Sequence, residues 1–209
     1  MMPTPQLLHS STLDEETARS ELYGLLALMY YAPVAIELIA DLRVAATDAP
    51  AAGAFLEEPW RALVGLARDM TDEAIQGEYT TLFGGMGKPE VYLYGSHYLS
   101  GFLNEKPLAR LRTELASLGL ARDDAMSETE DHFAYLCEVM RYLIAGDDVA
   151  VANLTRQRAF FSMHIQPWVL MLCDALQKHP RARFYAALAE LTRAFISVET
   201  QGFDMLDSQ

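Results

Sequence analysis

The sequence predicts an all-α fold, a bundle of several helices in a single domain. Leucine and alanine supply 30 and 29 of the 209 residues, against nine valines and six isoleucines, so helix formers far outnumber strand formers. Prolines, which interrupt helices, fall between the periodic apolar segments. Seven of the nine prolines lie there: Pro33, Pro50, Pro59, Pro89, Pro107, Pro167 and Pro180. No internal repeat or long linker divides the chain, so we expect one domain over residues 1–209.

Four helices are predicted in the first part of the chain, from apolar residues at helical spacing. The first follows a capping-box pattern at residues 12–15. The fourth is stopped by Gly84 and Gly85. The expected bounds are residues 12–31, a short helix from Pro33, another from near Pro59, and residues 71–83.

The segment from Gly84 to Gly95 is the least helical part of the sequence. It holds four glycines, a proline and the alternating aromatics of VYLYGSHY, which predicts an ordered functional loop or a short extended segment. Its GGMGK stretch does not fit a phosphate-binding loop. Leu82 stands where the first glycine of that motif belongs, and Pro89 replaces the magnesium-binding Ser or Thr.

Five helices are predicted in the second part of the chain. One of them opens with a second capping-box pattern, in which Ser127 is the N-cap and Glu130 its partner. Another is expected to carry Pro167 at its first position. The expected bounds are residues 104–119, 127–146, 148–165, 167–178 and 181–198.

The charge balance restricts the possible partners. Asp and Glu outnumber Lys and Arg 29 to 16, for a net charge of -13. Nonspecific binding to nucleic acid or to anionic lipid is therefore not expected, and a basic partner is favoured. The N-terminus does not resemble a secretory signal, and no uncharged run is long enough for a membrane helix. We expect a soluble cytoplasmic protein without stable membrane insertion.

The cysteines and histidines do not predict a metal centre or another cofactor. Cys137 and Cys173 lie in apolar stretches without CxxC spacing and are interpreted as buried small residues. The five histidines form neither an HExxH nor an ExxH motif. One alternative stays open, a helical metal- or thiol-dependent oxidoreductase using His132 and Cys137. Another is a structural adaptor whose acidic surface only confers solubility.

An acidic cluster just before His132 is the most informative local feature. It consists of Asp123, Asp124, Glu128, Glu130 and Asp131. Carboxylates in the first turn of a helix are stabilised by its dipole, which can account for the two glutamates. Asp131 and His132 instead begin a helix face that continues through Tyr135, and such a polar rim suits a cationic, partly apolar peptide.

We predict that Asp131 lies one turn into the helix and accepts a client guanidinium, while His132 orients that carboxylate or contacts the client. Asp131→Asn should then weaken binding with little change in melting temperature. In the alternative, both residues tie this helix to the glycine-rich segment and their substitution lowers stability. Trp168 and the ten methionines can likewise be core residues or contact residues.

Several motifs, taken together and in order, resemble one known family. They are RSELYGLLALMYYAP, EYTTLFGGMGKPEVYLYGSHYLSG, ETEDHFAYLCEVMRYLI, FFSMHIQPWVLMLCDAL and FYAALAELTRAFI. They resemble the TorD/DmsD family of redox-enzyme maturation chaperones, which is related to the NarJ group.

This resemblance implies an all-helical cytoplasmic chaperone without catalytic chemistry or a cofactor of its own. Its partners would be the twin-arginine signal peptide and the body of a molybdenum-containing oxidoreductase, which it protects and prepares for cofactor insertion. The chaperone would occur as a monomer or a helix-exchanged homodimer. Some members of the family are described as binding guanine nucleotide, for which the glycine-rich segment offers no independent support.

The resemblance also implies which residues bind the client. The family's E-P-x-D-H signature falls on residues 128–132, with Thr129 in place of the proline. Its Tyr-x-x-Leu-Phe pattern falls on residues 79–83, and its His-x-x-Pro-Trp pattern on residues 164–168. The predicted client-binding residues are Glu128, Asp131, His132, Tyr92, Tyr94, Tyr135 and Trp168.

Overall fold

A computed structural model describes residues 11–47, 55–84, 88–103, 105–123 and 127–206 of the chain. These ranges contain ten helices and no strand, which confirms the all-α prediction. The helices are α1 (Ser11–Tyr31), α2 (Ile36–Val44), α3 (Glu57–Asp69), α4 (Asp72–Phe83), α5 (Gly95–Ser100), α6 (Lys106–Ser117), α7 (Phe133–Ala145), α8 (Leu154–His164), α9 (Val169–Gln177) and α10 (Phe184–Leu206).

One cluster of buried apolar side chains holds the bundle together. Every helix except α5 contributes to it, and α5 packs its Tyr98 against it. The main packing pairs are α1 with α7, and α10 with α9 and α3. Fully burying one Leu or Phe side chain contributes roughly 1.5–3 kcal/mol. Apolar burial is therefore the principal stabilising term, and it fixes α1 beside α7.

Two buried glutamates connect helices that are distant in the sequence. Arg19 of α1 donates to both carboxylate oxygens of Glu199 of α10, over 2.6 and 2.9 Å. Glu78 of α4 accepts hydrogen bonds from three backbone N–H groups at the start of α10, which otherwise have no partner in the helix. Buried carboxylates need such partners because their desolvation is costly.

The predicted bounds of α4 are confirmed. Thr71 is its N-cap, and its side chain accepts a hydrogen bond from the N–H of Ala74. The helix stops at Gly84, as expected. The GGMGK stretch, which the sequence analysis compared with a phosphate-binding loop, includes residues 85–87, and these lie outside the described residues.

The predicted start of α7 at Ser127 is wrong. The helix begins at Phe133, and its N-cap is His132, whose Nδ1 accepts from the N–H of Ala134 over 3.2 Å. Ser127 instead donates to the adjacent Glu128. Glu130 accepts two hydrogen bonds, each 2.9 Å, from Arg112 of α6. The capping-box pattern failed because this distant arginine binds the glutamate.

Three further differences concern the turns. Pro167 lies just before the N-cap Trp168 of α9 and not at the first position of that helix. Helix α8 begins later than expected because Asn153 caps it, accepting from the N–H of Arg156. The sequence does not predict α5, which starts at Gly95 at the end of the glycine-rich segment.

In the described part of the chain, no individual helix has both the length and the apolar composition of a membrane span. Helices α8 and α9 meet these two criteria only when taken together, across a bend of 53°.

Candidate functional site

Five of the seven predicted site residues lie where residues 93–95, at the end of the glycine-rich segment, run beside the start of α7. Tyr94 and His132 form an isolated antiparallel bridge. Two backbone hydrogen bonds flank it, from Phe133 N–H to the Leu93 carbonyl over 2.8 Å and from Gly95 N–H to the Asp131 carbonyl over 3.0 Å. Adjacent residues of an extended segment point to opposite sides, so this bridge has one face with Tyr94 and His132 and another with Asp131.

The side chain of Asp131 is buried, only 3% exposed, and it connects two segments of the chain by hydrogen bonds. One carboxylate oxygen accepts from the backbone N–H of Ser96 over 2.8 Å, and the other from the Thr129 hydroxyl over 2.6 Å. The prediction that it lies one turn into the helix is wrong, because it precedes the N-cap of α7. Thr129, which replaces the family's proline, thus supplies a hydrogen-bond donor that proline lacks.

His132 is also buried and is surrounded by three tyrosine rings. Its ring centroid lies 5.2 Å from that of Tyr94, 5.7 Å from Tyr135 and 6.4 Å from Tyr31 of α1. Burial lowers the pKa of His132 to about 4, against the opposing influence of Glu128 and Asp131. The imidazole is therefore neutral at pH 7, with Nδ1 unprotonated because it accepts the cap hydrogen bond.

Glu128 is partly exposed beside these rings. Its carboxylate accepts hydrogen bonds from the hydroxyls of Tyr94 and Ser127. Burial, followed by the Glu128 contact, raises the pKa of Tyr94, so that this hydroxyl stays a donor. No described Lys or Arg forms an ion pair with Glu128. Glu130, two residues later, does have a cationic partner, Arg112. Partial burial alone would raise the pKa of Glu130, but the hydrogen bond from Arg112 outweighs burial and the pKa is lowered.

Tyr92 and Trp168 occupy other positions. Tyr92 stacks on His97, with ring centroids 4.0 Å apart, and borders the same cavity as Tyr94. Trp168 is fully buried, stacks on Tyr98 and donates from Nε1 to the His164 carbonyl over 2.7 Å. A Cβ at Gly95 would approach the Trp168 indole to 3.0 Å, so the indole packs closely on this backbone.

Two adjoining cavities open around the tyrosine cluster. The first, of about 220 Å³, is bordered by Tyr92, Tyr94, Glu128 and His132. The second, of about 410 Å³, lies between α1, α2 and α7. It is lined by Ala27, Leu28, Tyr31, Ala32, Pro33, Ala35, Leu38, Ala134, Tyr135 and Glu138. We call the two cavities, with the tyrosine and histidine rings between them, the α1–α7 groove.

The wall of the α1–α7 groove is apolar and aromatic, with acidic groups along it. Leu28 is 62% exposed and Tyr31 is 44% exposed. Tyr31 packs on Tyr135, with ring centroids 5.6 Å apart. Glu138 is about half exposed and pairs with Arg141 one turn later, a surface ion pair worth little. Chemically, the groove can hold a guanidinium group and an adjacent apolar side chain.

Both residues of the alternative oxidoreductase hypothesis, His132 and Cys137, are buried. Cys137 and Cys173 are buried free thiols. Burial raises the pKa of both, that of Cys173 to about 12, so neither is a thiolate at pH 7. Within the described ranges, no group of three or more His, Cys, Asp or Glu side chains is placed to hold a metal ion.

Comparison with known proteins agrees with the sequence resemblance. The family model described as "Nitrate reductase delta subunit" matches residues 49–174, which is more than half of the chain. The chain belongs to this family. The match includes the glycine-rich segment and the start of α7, so the Tyr94–His132 bridge lies inside the family region.

Individual members of the family are similar to the chain at low identity. The "Chaperone protein TorD" of Vibrio cholerae serotype O1 is 25% identical over 139 residues, which cover 63% of each protein. That of Vibrio parahaemolyticus serotype O3:K6 is 22% identical over 143 residues, covering 64% of this chain and 66% of the relative. The chain thus matches less than two thirds of the length of these relatives. Both names are those of chaperones.

The sequence did not indicate every residue of the groove. Leu28, Tyr31 and Glu138 were not among the predicted residues, although Tyr31 and Leu28 contribute large exposed surfaces. In the sequence, Leu28 and Tyr31 are only an apolar and an aromatic residue near the end of the first helix, and their exposure is visible in the structure alone. The pairing of α1 with α7 places them beside Tyr135.

Proposed function

We propose that this protein is a cytoplasmic chaperone for a molybdenum-containing oxidoreductase. It binds the twin-arginine signal peptide and the body of the apoprotein, and assists maturation and cofactor insertion before export or assembly. Membership of the family and the TorD relatives support this role. The observation that carries the peptide-binding part is Glu128, a carboxylate without a described cation partner beside an aromatic and apolar groove.

The seven predicted residues are proposed to act in two ways. Glu128, Tyr92, Tyr94 and Tyr135 border the α1–α7 groove and are proposed to contact the client directly. Asp131, His132 and Trp168 are almost fully buried. We propose that they are positioning residues, which hold the glycine-rich segment and α7 in place for the contact residues.

Recovery of the client from native cells tests the chaperone role. Tagged protein purified from its own cells should carry an apo-molybdoenzyme that retains its signal peptide, identified by mass spectrometry. The client should dissociate once the mature enzyme has received its cofactor. Stoichiometric metal in the purified chain together with oxidoreductase turnover would contradict the proposal and favour the enzyme alternative.

Peptide binding should weaken as salt is raised. A synthetic peptide with two adjacent arginines and an apolar segment should associate more slowly at high ionic strength, because the field of a chain with net charge -13 is screened beyond about 8 Å in physiological salt. Stopped-flow and titration measurements across a salt series check this. Apolar contacts should preserve part of the affinity. An association rate independent of salt would exclude electrostatic steering.

A further inference from the structure

A third cavity lies on the other face of the Tyr94–His132 bridge. It has a volume of about 320 Å³ and lies between α5, α6, α7 and the α8–α9 turn. Asp131, Gly95 and Ser96 line it, whereas Tyr94 and His132 line the α1–α7 groove. The two sites share no lining residue.

The wall of this third cavity is mostly apolar. It includes Leu111, Leu136 and Trp168 in its inner part. Leu99 and Met163 also line it and are 42% and 56% exposed. Large apolar side chains exposed around a cavity indicate an entrance that an aliphatic group can enter with little desolvation cost.

Two buried polar atoms in the wall have no hydrogen-bond partner among the residues that the structure describes. They are the Ser96 hydroxyl and Nε2 of His164, each on a residue that is more than nine-tenths buried. The backbone of Ser96 is satisfied, since its N–H binds Asp131 and its carbonyl binds the Ser100 hydroxyl. Leaving a buried polar atom unpaired costs about 1–3 kcal/mol. Both atoms have almost no accessible surface, so a ligand that displaces neighbouring wall side chains and pairs with both atoms would recover this free energy.

The charges around the cavity favour a neutral ligand. Both oxygens of Asp131 already accept hydrogen bonds, and its negative charge opposes an anion. Arg110 at the rim is exposed and opposes a cation. Burial lowers the pKa of His164 to about 4, so its ring is neutral at pH 7.

A peptide group carries the hydrogen-bonding groups that these two unpaired atoms lack. A serine hydroxyl can donate and accept, and a neutral imidazole nitrogen does one or the other according to its tautomer. The C=O and N–H of one uncharged peptide group require such a pair. We infer that this cavity is a second peptide site, which takes an aliphatic side chain together with its neutral peptide group from an apolar segment of a partner protein.

This inference goes beyond the α1–α7 groove and does not depend on twin-arginine recognition. A suitable probe is N-acetyl-leucine N-methylamide, titrated at millimolar concentration into the full chain and followed by NMR. The indole N–H of Trp168 and the imidazole signals of His164 should shift. The rings of Tyr31 and Tyr135 should not. Shifts confined to those two tyrosines, or no binding at all, would overturn the inference.

Matched probes test the ligand class. N-acetyl-glycine N-methylamide, which lacks the aliphatic group, should bind much more weakly. N-acetyl-leucine, which carries a carboxylate, should also bind more weakly because of Asp131. Equal or tighter binding of the carboxylate would show that Arg110 selects an anion and would overturn the neutral-peptide assignment.

A serine variant tests the hydrogen bond. Ser96→Ala should weaken the leucine probe about 2- to 10-fold, the effect of one neutral hydrogen bond. Its melting temperature should not fall, because the variant removes an unpaired buried hydroxyl. Ser197→Ala on α10, which lines none of these cavities, is the matched control. If Ser96→Ala is folded and binds the probe as the wild type does, the assignment is wrong. The shifts in the wild type decide the location of the site even if that variant does not fold.

Discussion

Replacing Glu78 by glutamine should lower the free energy of unfolding by about 1.5–3 kcal/mol, the worth of a hydrogen bond to a charged group. Its carboxylate accepts from Arg183 and Tyr185 N–H over 2.8 and 2.7 Å, and from Phe184 N–H over 3.2 Å. These donors begin α10, where the helix dipole also favours a negative charge. Glutamine keeps one acceptor, removes the charge and turns an NH₂ group toward a donor.

Urea denaturation checks this stability effect. Glu73→Gln is a matched control, because Glu73 is an exposed carboxylate in the first turn of the same helix, where losing its interaction with the helix dipole costs about 0.3–1 kcal/mol. Equal midpoints for the Glu78 and Glu73 variants would show that the capping of α10 by Glu78 does not matter for stability.

Asp131→Asn should lower stability by about 1–3 kcal/mol, because one of its two acceptor oxygens becomes a donor that faces the Ser96 N–H or the Thr129 hydroxyl. Thermal melting and peptide titration should be performed on the same samples. Thr129→Val removes only the hydroxyl and should cost less. If Asp131→Asn melts as the wild type does but loses peptide affinity per folded molecule, Asp131 is a contact residue and not a positioning residue.

This expectation reverses the prediction from the sequence, in which Asp131→Asn weakens client binding and hardly affects stability. A local pattern could not indicate the structural role, because the deciding partner, Ser96, lies 35 residues earlier in the chain. The capping box at Ser127 failed for a related reason, since Arg112 of α6 binds Glu130. Long-range hydrogen bonds of this kind leave no periodic signal in a sequence.

Other parts of the fold depend on local rules and were predicted correctly. Thr71 caps α4 and Gly84 ends it, as the propensities of these residue types require. Cys137 and Cys173 are buried, as their apolar surroundings indicated. The Tyr94–His132 bridge brings two predicted site residues together. The contribution of α1 to the groove depends on helix packing, which helical periodicity alone does not specify.

The central claim is that Glu128 in the α1–α7 groove binds a client guanidinium. The most direct measurement is a four-way titration of wild type and Glu128→Gln with the two-arginine peptide and with a copy in which both arginines are glutamine. Glutamine at residue 128 can still accept the Tyr94 hydroxyl, so the variant chiefly removes the charge. Glu73→Gln serves as the control for net charge.

In the wild type and in Glu73→Gln, the arginine peptide should bind more tightly than the glutamine peptide. That preference should shrink by about 10- to 100-fold in Glu128→Gln, corresponding to about 1.5–3 kcal/mol for one hydrogen bond between charged groups. An undiminished preference in Glu128→Gln, measured on protein that melts as the wild type does, would contradict the assignment of Glu128 as the guanidinium acceptor.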